Sequence, residues 1–152
     1  MAAEPISFRV GGEIPPVKSG AASMWRNPEQ VRRIRALRRA AAQAMSGQAP
    51  LDEPVAVRVR VFMLGEDRRP PLWLRRASGD LDNLLAGVCD GLQAADPRGW
   101  DEATWSDDPP EIRPDRAVAF TDDSWVQRLE GEALPRSGEP AYEVELRPLE
   151  RS

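Results

Sequence analysis

The chain has 152 residues, 41% of them hydrophobic and 30% charged, enough for one domain with a single core, and no apolar run nears the roughly 20 residues a membrane-spanning helix needs. It contains no histidine and one cysteine, which excludes histidine-ligated zinc, Ser-His-Asp triads and an internal disulfide, and leaves carboxylates to carry any hydrolytic chemistry. The net charge of −4 conceals an asymmetry, because residues 1–79 hold 14 basic and 7 acidic side chains whereas residues 80–152 hold 7 and 18, a distribution suited to gripping phosphates with one region and divalent cations with another.

Met1–Val10 has no basic segment followed by an apolar stretch, so no secretory leader and a cytoplasmic location are expected. Within it, Ile6–Val10 alternates apolar and polar side chains and predicts a first strand, closed by the turn signals Gly11-Gly12 and Pro15-Pro16. Asn27 as cap, Pro28 at the first helical position and Gln30 able to reach back predict a helix to about Met45. Its apolar line is Val31, Ile34, Leu37, Ala41 and Met45, while Arg32, Arg35 and Arg39 form a basic stripe on another face with Arg33 and Arg38 alongside.

Pro54–Leu64 reads as a strand with Arg58 and Arg60 on one side. A polar loop carrying Arg68, Arg69, Arg75 and Arg76 leads to a second helix from near Asp80 to about Ala95, in which Leu81, Leu84, Leu85, Val88, Cys89 and Leu92 keep helical spacing. Cys89 falls on that apolar face and reads as a small buried hydrophobe. Residues 96–115 differ in kind, with four prolines, seven acidic residues, two arginines, and Trp100 and Trp105. They read as an inserted acidic loop whose tryptophans anchor either the loop itself or a dimer partner. Val118-Ala119-Phe120 enters an acidic turn, after which Ser124–Leu134, with Trp125 in the core, and Ala141–Leu149 give two further strands. The expected order is β-α-β-α-β-β, an α+β domain over residues 1–152 with two helices packed on a mixed sheet.

The segments that bear chemistry are Asp80-Leu81-Asp82-Asn83 and Asp122-Asp123, the second just before a strand. Phosphodiester hydrolysis needs cations that activate water, steady the leaving oxygen and neutralise charge on the phosphoryl group, and two metals about 3.5–4 Å apart need two or three acids from different elements. For Asp80 and Asp82 to touch one site, Asp80 has to sit in the extended lead-in and Asp82 in the first helical turn, where the helix N-terminus favours anions. Leu81 between them then points into the core. An Asp at a helix start is also an ordinary cap, and Asp-Asp before a strand an ordinary turn; it is their joint occurrence that points to a metal site. Asp90, eight residues after Asp82, is close to it in angle but about 12 Å further along the axis, and takes a supporting role.

Asp80-Leu81-Asp82-Asn83-Leu84, then Asp90-Gly91-Leu92, then Asp122-Asp123 with Val126 resembles the RusA family of crossover junction endodeoxyribonucleases, whose pattern is D-x-D-N-L, D-A-L and D-D-x-x-V. The early Pro15-Pro16 and the element order fit as well, and the resemblance covers most of the chain outside residues 96–115. It implies a Mg²⁺-dependent (or Mn²⁺-dependent) nuclease that works as a homodimer, resolving four-way Holliday junctions in DNA recombination and repair by symmetric paired cuts. It also implies that Asp80, Asp82 and Asp123 form the metal site, with Asn83, Asp90 and Asp122 in support. One departure is Ala86, which stands where the family has a catalytically important lysine; Arg75 and Arg76 are the cations nearest in sequence. A second is the rival acidic pair Asp107-Asp108, which Pro109-Pro110 separates from any strand.

Lys18, Arg32, Arg35 and Arg39 are expected to line the DNA path, with Arg75 and Arg76, through salt-dependent phosphate contacts. Two other functions fit the same residues: a junction-binding protein that no longer cuts, which Ala86 and the acidic insertion favour, and a less selective nuclease acting on flaps and other branched DNA.

Overall fold

The structure is a computed structural model, which describes residues 4–18, 23–70 and 81–149. Strand β1 (Ile6–Gly11) is followed by helix α1 (Pro28–Met45), strand β2 (Val55–Leu64), helix α2 (Leu81–Leu92), the single-turn helix α3 (Glu102–Trp105), and strands β3 (Val126–Pro135) and β4 (Ala141–Pro148). The four strands form one mixed sheet in the order β1-β4-β2-β3, with β2 and β3 parallel and the other pairings antiparallel. The expected α+β layout with helices on a mixed sheet is what the chain adopts, and no helix among the described residues is long and apolar enough to cross a membrane.

Alternation decides which face of the sheet is buried. Val55, Val57, Val59, Val61 and Met63 of β2 join Tyr142, Val144 and Leu146 of β4 in a core completed by Leu37 and Ala41 of α1 and by Leu84, Val88 and Leu92 of α2. The intervening side chains make the opposite face, which is charged and exposed: Arg9 pairs with Glu143 at 3.2 Å, and Arg58 and Arg60 both reach Glu132 at 3.6 Å. Pairing of this kind keeps a half-covered sheet in water and adds little to stability.

Helix α1 begins as its sequence predicts, with the Asn27 side chain accepting from the N–H groups of Glu29 and Gln30, and it ends where Ser46 turns left-handed at φ 50°. Gln30 behaves differently from expectation. It is buried, and its Oε1 accepts the Val17 N–H at 2.7 Å rather than reaching back to the cap, so it ties the segment after β1 to the helix. That segment then crosses α2 at Gly87. A Cβ there would lie 1.8 Å from the Pro16 carbonyl oxygen, a distance only glycine avoids. The crossing brings Lys18 alongside α2, where its N–H donates to the Asn83 carbonyl at 3.3 Å.

Residues 96–115 are folded rather than loop-like. They consist of a 3-10 turn at Pro97–Gly99, α3, and a second 3-10 turn at Pro110–Ile112. Trp105 is fully buried in a second apolar cluster with Met24, Trp25, Val31 and Ile34, its ring 6.0 Å from that of Trp25. Trp100 packs at the margin of this cluster, so both tryptophans anchor the insertion onto α1 and the segment before it. Buried arginine completes the seam. The Arg38 guanidinium, fully buried, donates to the carbonyls of Gly91, Gln93, Ile112, Arg113 and Arg116, joining the end of α2 to the insertion.

Candidate functional site

The acids belong to two places on α2. Asp82 lies in the first turn and is exposed, its neighbour Asn83 is half-buried, and Leu81 packs against the core as expected. Asp90 lies in the last turn. Because the residues between them form one continuous helix, Asp82 and Asp90 are about 12 Å apart along its axis. Asp80, Arg75 and Arg76 lie outside the described residues.

The Asp122-Asp123 turn meets the Asp90 end. Asp123 opens a 3-10 turn (Asp123–Trp125) capped by Asp122, whose Oδ1 accepts the Ser124 N–H at 2.9 Å. Gln93 joins the two acids: its Oε1 accepts the Asp123 N–H at 2.8 Å, and its Nε2 donates to Asp90 Oδ1 at 3.3 Å. From below, the Trp125 indole N–H donates to Asp52 Oδ1 and to Thr121 Oγ1, both at 3.1 Å, and the Thr121 hydroxyl donates to the same Asp52 oxygen at 2.8 Å. Trp125 is therefore half-buried, with a hydrogen-bonding role beside its apolar one.

The electrostatics of the two aspartates in the turn diverge. The backbone N–H of Ser124 holds the Asp122 carboxyl below the ordinary carboxylate range. Partial burial, the hydrogen bond with Asp122 and the charge of Asp90 hold the Asp123 carboxyl above it. The cation at this place is Lys18, whose Nζ is 3.1 Å from Asp90 Oδ2. Lys18 is the chain's single lysine. It supplies positive charge to the face of α2 that Ala86 leaves without any, by a route through the fold that the sequence around Ala86 does not show. Cys89, beside these acids, is buried, and burial pushes its thiol up to about 12, which leaves it inert as a nucleophile.

Among the described residues no group of three or more acidic or cysteine side chains is drawn closely enough to hold a metal ion. What the chain does hold is a pair, Asp90 and Asp123, with Asp82 about one helix length away. The sequence contains a signal for this. In a strand-helix-strand unit with parallel strands, the helix runs back along the sheet, so residues that precede the second strand meet the helix at its C-terminal end. Gln93 and Asp52, which fix the turn, carry no motif and become visible only in the folded chain.

The basic stripe of α1 is largely engaged. Arg32 pairs with Glu13 at 2.9 Å, and the buried Asp108 takes Arg35 at 2.9 Å and Arg39 at 3.4 Å. Arg35 also donates to the Thr104 carbonyl and lies 4.9 Å over the Trp105 ring. Arg33 and Arg38 are buried outright. The stripe thus holds the insertion in place, while Arg32 and Arg39, each with 63% of its side chain exposed, keep a face toward solvent. Asp108, one of the rival acidic pair, is the counter-charge for this seam.

No protein-family model matches the chain, and no curated protein matches it either.

Proposed function

We propose that the chain is a metal-dependent DNA endonuclease selective for four-way junctions, acting as a homodimer, as its RusA-like motifs imply. The observation that carries this reading is the meeting of Asp90, at the end of α2, with Asp123, at the entry of β3, where Gln93 bonds to the Asp90 carboxylate and to the Asp123 N–H and the charge of Asp90 is among the causes that hold the Asp123 carboxyl up. A fold gains nothing in stability from opposing two acids, and a divalent cation between them is the chemical use of such a pair. Mg²⁺ or Mn²⁺ held there would polarise the scissile phosphate.

The third acid has to come from Asp80-Leu81-Asp82. Within one chain Asp82 is at the far end of α2. A two-fold dimer that lays two α2 helices side by side and antiparallel brings Asp82 of the partner subunit level with Asp90 and Asp123, and generates two equivalent sites. Two sites related by a two-fold axis are what paired cuts in opposed strands require.

Lys18 favours a second reading. Its ammonium already neutralises Asp90, and a chain that uses lysine where a nuclease uses metal would bind junctions without cutting. A labelled four-way junction titrated with Mg²⁺ separates the two. The nuclease reading predicts symmetric cuts, abolished by Asp82→Asn or Asp123→Asn with binding retained or tighter because negative charge facing DNA is removed. Bound but intact junction at every Mg²⁺ and Mn²⁺ concentration supports the second reading and defeats the first; equal cutting of flap and duplex competitors would remove the selectivity.

A further inference from the structure

The open face of the sheet is a charge ladder whose rows follow from the strand register. Running from β1 through β4 and β2 to β3, one row is Arg9, Glu143, Arg60 and Glu132, and the next is Ser7, Glu145, Arg58 and Glu130. In both rows every arginine stands beside a glutamate and no like charges adjoin, the arrangement that favours cross-strand neighbours. The third row breaks the pattern. It places Arg147 of β4 and Arg128 of β3 on either side of Ala56 of β2. Neighbouring strands lie about 4.8 Å apart, so the two arginine backbones stand roughly 10 Å from each other, and both side chains are long enough to meet above the alanine. Where alternation calls for an acid, the chain has a methyl group.

The result is a hollow of about 210 Å³ at Ala56, lined by Arg58, Arg128 and Arg147 together with Glu130 and Glu145. Three arginines against two glutamates leave it one positive charge in surplus. Arg128 forms no ion pair among the described residues, and Arg147 has a 3.4 Å contact with Glu145 of its own strand, an exposed pair that is easily exchanged. The adjoining hollow, of about 120 Å³, sets Arg58 and Arg60 against Glu143 and Glu145 and is balanced. The surplus is therefore local to the row that lacks an acid. We propose that the hollow at Ala56 binds a phosphate group, held between Arg128 and Arg147 with Arg58 as a third donor. The guanidinium fork matches two phosphate oxygens at a time, and a tetrahedral anion offers oxygens to cations arriving from three strands, whereas a carboxylate offers two in one plane. The hollow is smaller than the roughly 300 Å³ at which sites for whole small molecules begin, so it takes the phosphate and leaves whatever bears it in solvent. That bearer is either a nucleic-acid backbone crossing the open face or a free phosphate or monoester.

The site lies on the face of the sheet away from the helices and stands without the nuclease reading. NMR titration with inorganic phosphate, at an ionic strength held constant with chloride, reads it directly. The Ala56 amide and the side-chain Nε–H signals of Arg58, Arg128 and Arg147 should shift together and saturate with a midpoint of about 1 mM, and chloride alone should not move them. Ala56→Glu supplies the missing acid and should abolish the response. Arg128→Gln should weaken it about fivefold, and Arg60→Gln, outside the hollow, should leave it unchanged. All three positions are on the open face, and circular dichroism checks that each variant keeps the wild-type fold. Duplex DNA as a second probe separates the sources. If a backbone phosphate is the ligand, Ala56→Glu weakens duplex binding and lowers its salt dependence by about one phosphate contact; duplex binding that is unchanged in this variant assigns the hollow to free phosphate or a monoester. Phosphate that moves none of these signals up to about 10 mM, or that binds Ala56→Glu as well as the wild-type chain, overturns the inference. A chain that binds phosphate here but binds no DNA keeps this site and loses the nuclease reading alone.

Discussion

Arg38 carries a charge into the centre of the molecule, and its environment explains why it is tolerated. Burial draws its guanidinium down to about 10, yet it stays charged at neutral pH, with its donors spread over five carbonyls and its plane 5.2 Å from the Trp25 ring centroid. Removing the guanidinium withdraws a buried donor from all five at once, with the Arg113 carbonyl alone keeping a backbone donor outside the helices, the Arg116 N–H at 3.0 Å. Arg38→Met should destabilise the chain by about 3–5 kcal/mol in urea unfolding, and Arg38→Lys should recover little of it, since an ammonium cannot reach five acceptors in one plane. Arg32→Ala, on the same helix but exposed, should change stability by no more than about 0.5 kcal/mol. Equal effects at the two positions would mean that the Arg38 network contributes nothing. Helical periodicity separates these residues onto different faces; it does not say that the insertion covers one of them, which is why five arginines of one helix read alike in the sequence.

The helices and strands were legible because each carries its own local signal: alternation in β2 and β4, unbroken apolar spacing in α2, and a cap and proline at the start of α1. Residues 96–115 carry no such signal. Their order comes from Trp105, whose partners Trp25, Val31 and Ile34 are distant in sequence, and from Asp108 beneath Arg35 and Arg39. Composition alone reads that stretch as a solvated acidic loop, and tertiary packing overrides it. Trp105→Ala should therefore cost about 3–5 kcal/mol, and limited proteolysis of the variant should cut within residues 96–115 while the sheet stays protected. If cutting there is as slow as in the wild-type chain, Trp105 does not hold the insertion. The acidic motifs were legible as residue types, and their separation was not: the angular likeness of Asp82 and Asp90 is local, but the end of α2 that receives Asp122-Asp123 depends on the parallel pairing of β2 with β3.

At the scale of the whole molecule, Asp82 stands at one end of α2, and Asp90 meets the Asp122-Asp123 turn at the other. The proposed nuclease reading therefore requires two copies working as a unit, with Asp82 of one copy and Asp90 and Asp123 of the other at each of two sites. The most direct measurement mixes two inactive chains, Asp82→Asn and Asp123→Asn, allows subunits to exchange, and assays junction cleavage with Mg²⁺. In a mixed dimer one site would have both acids and the other neither, so the account predicts that nicking returns, with about a quarter of all sites active at equal mixing, and that paired cuts do not. A mixture that stays inactive at every ratio, beside a wild-type chain that cuts, would contradict it.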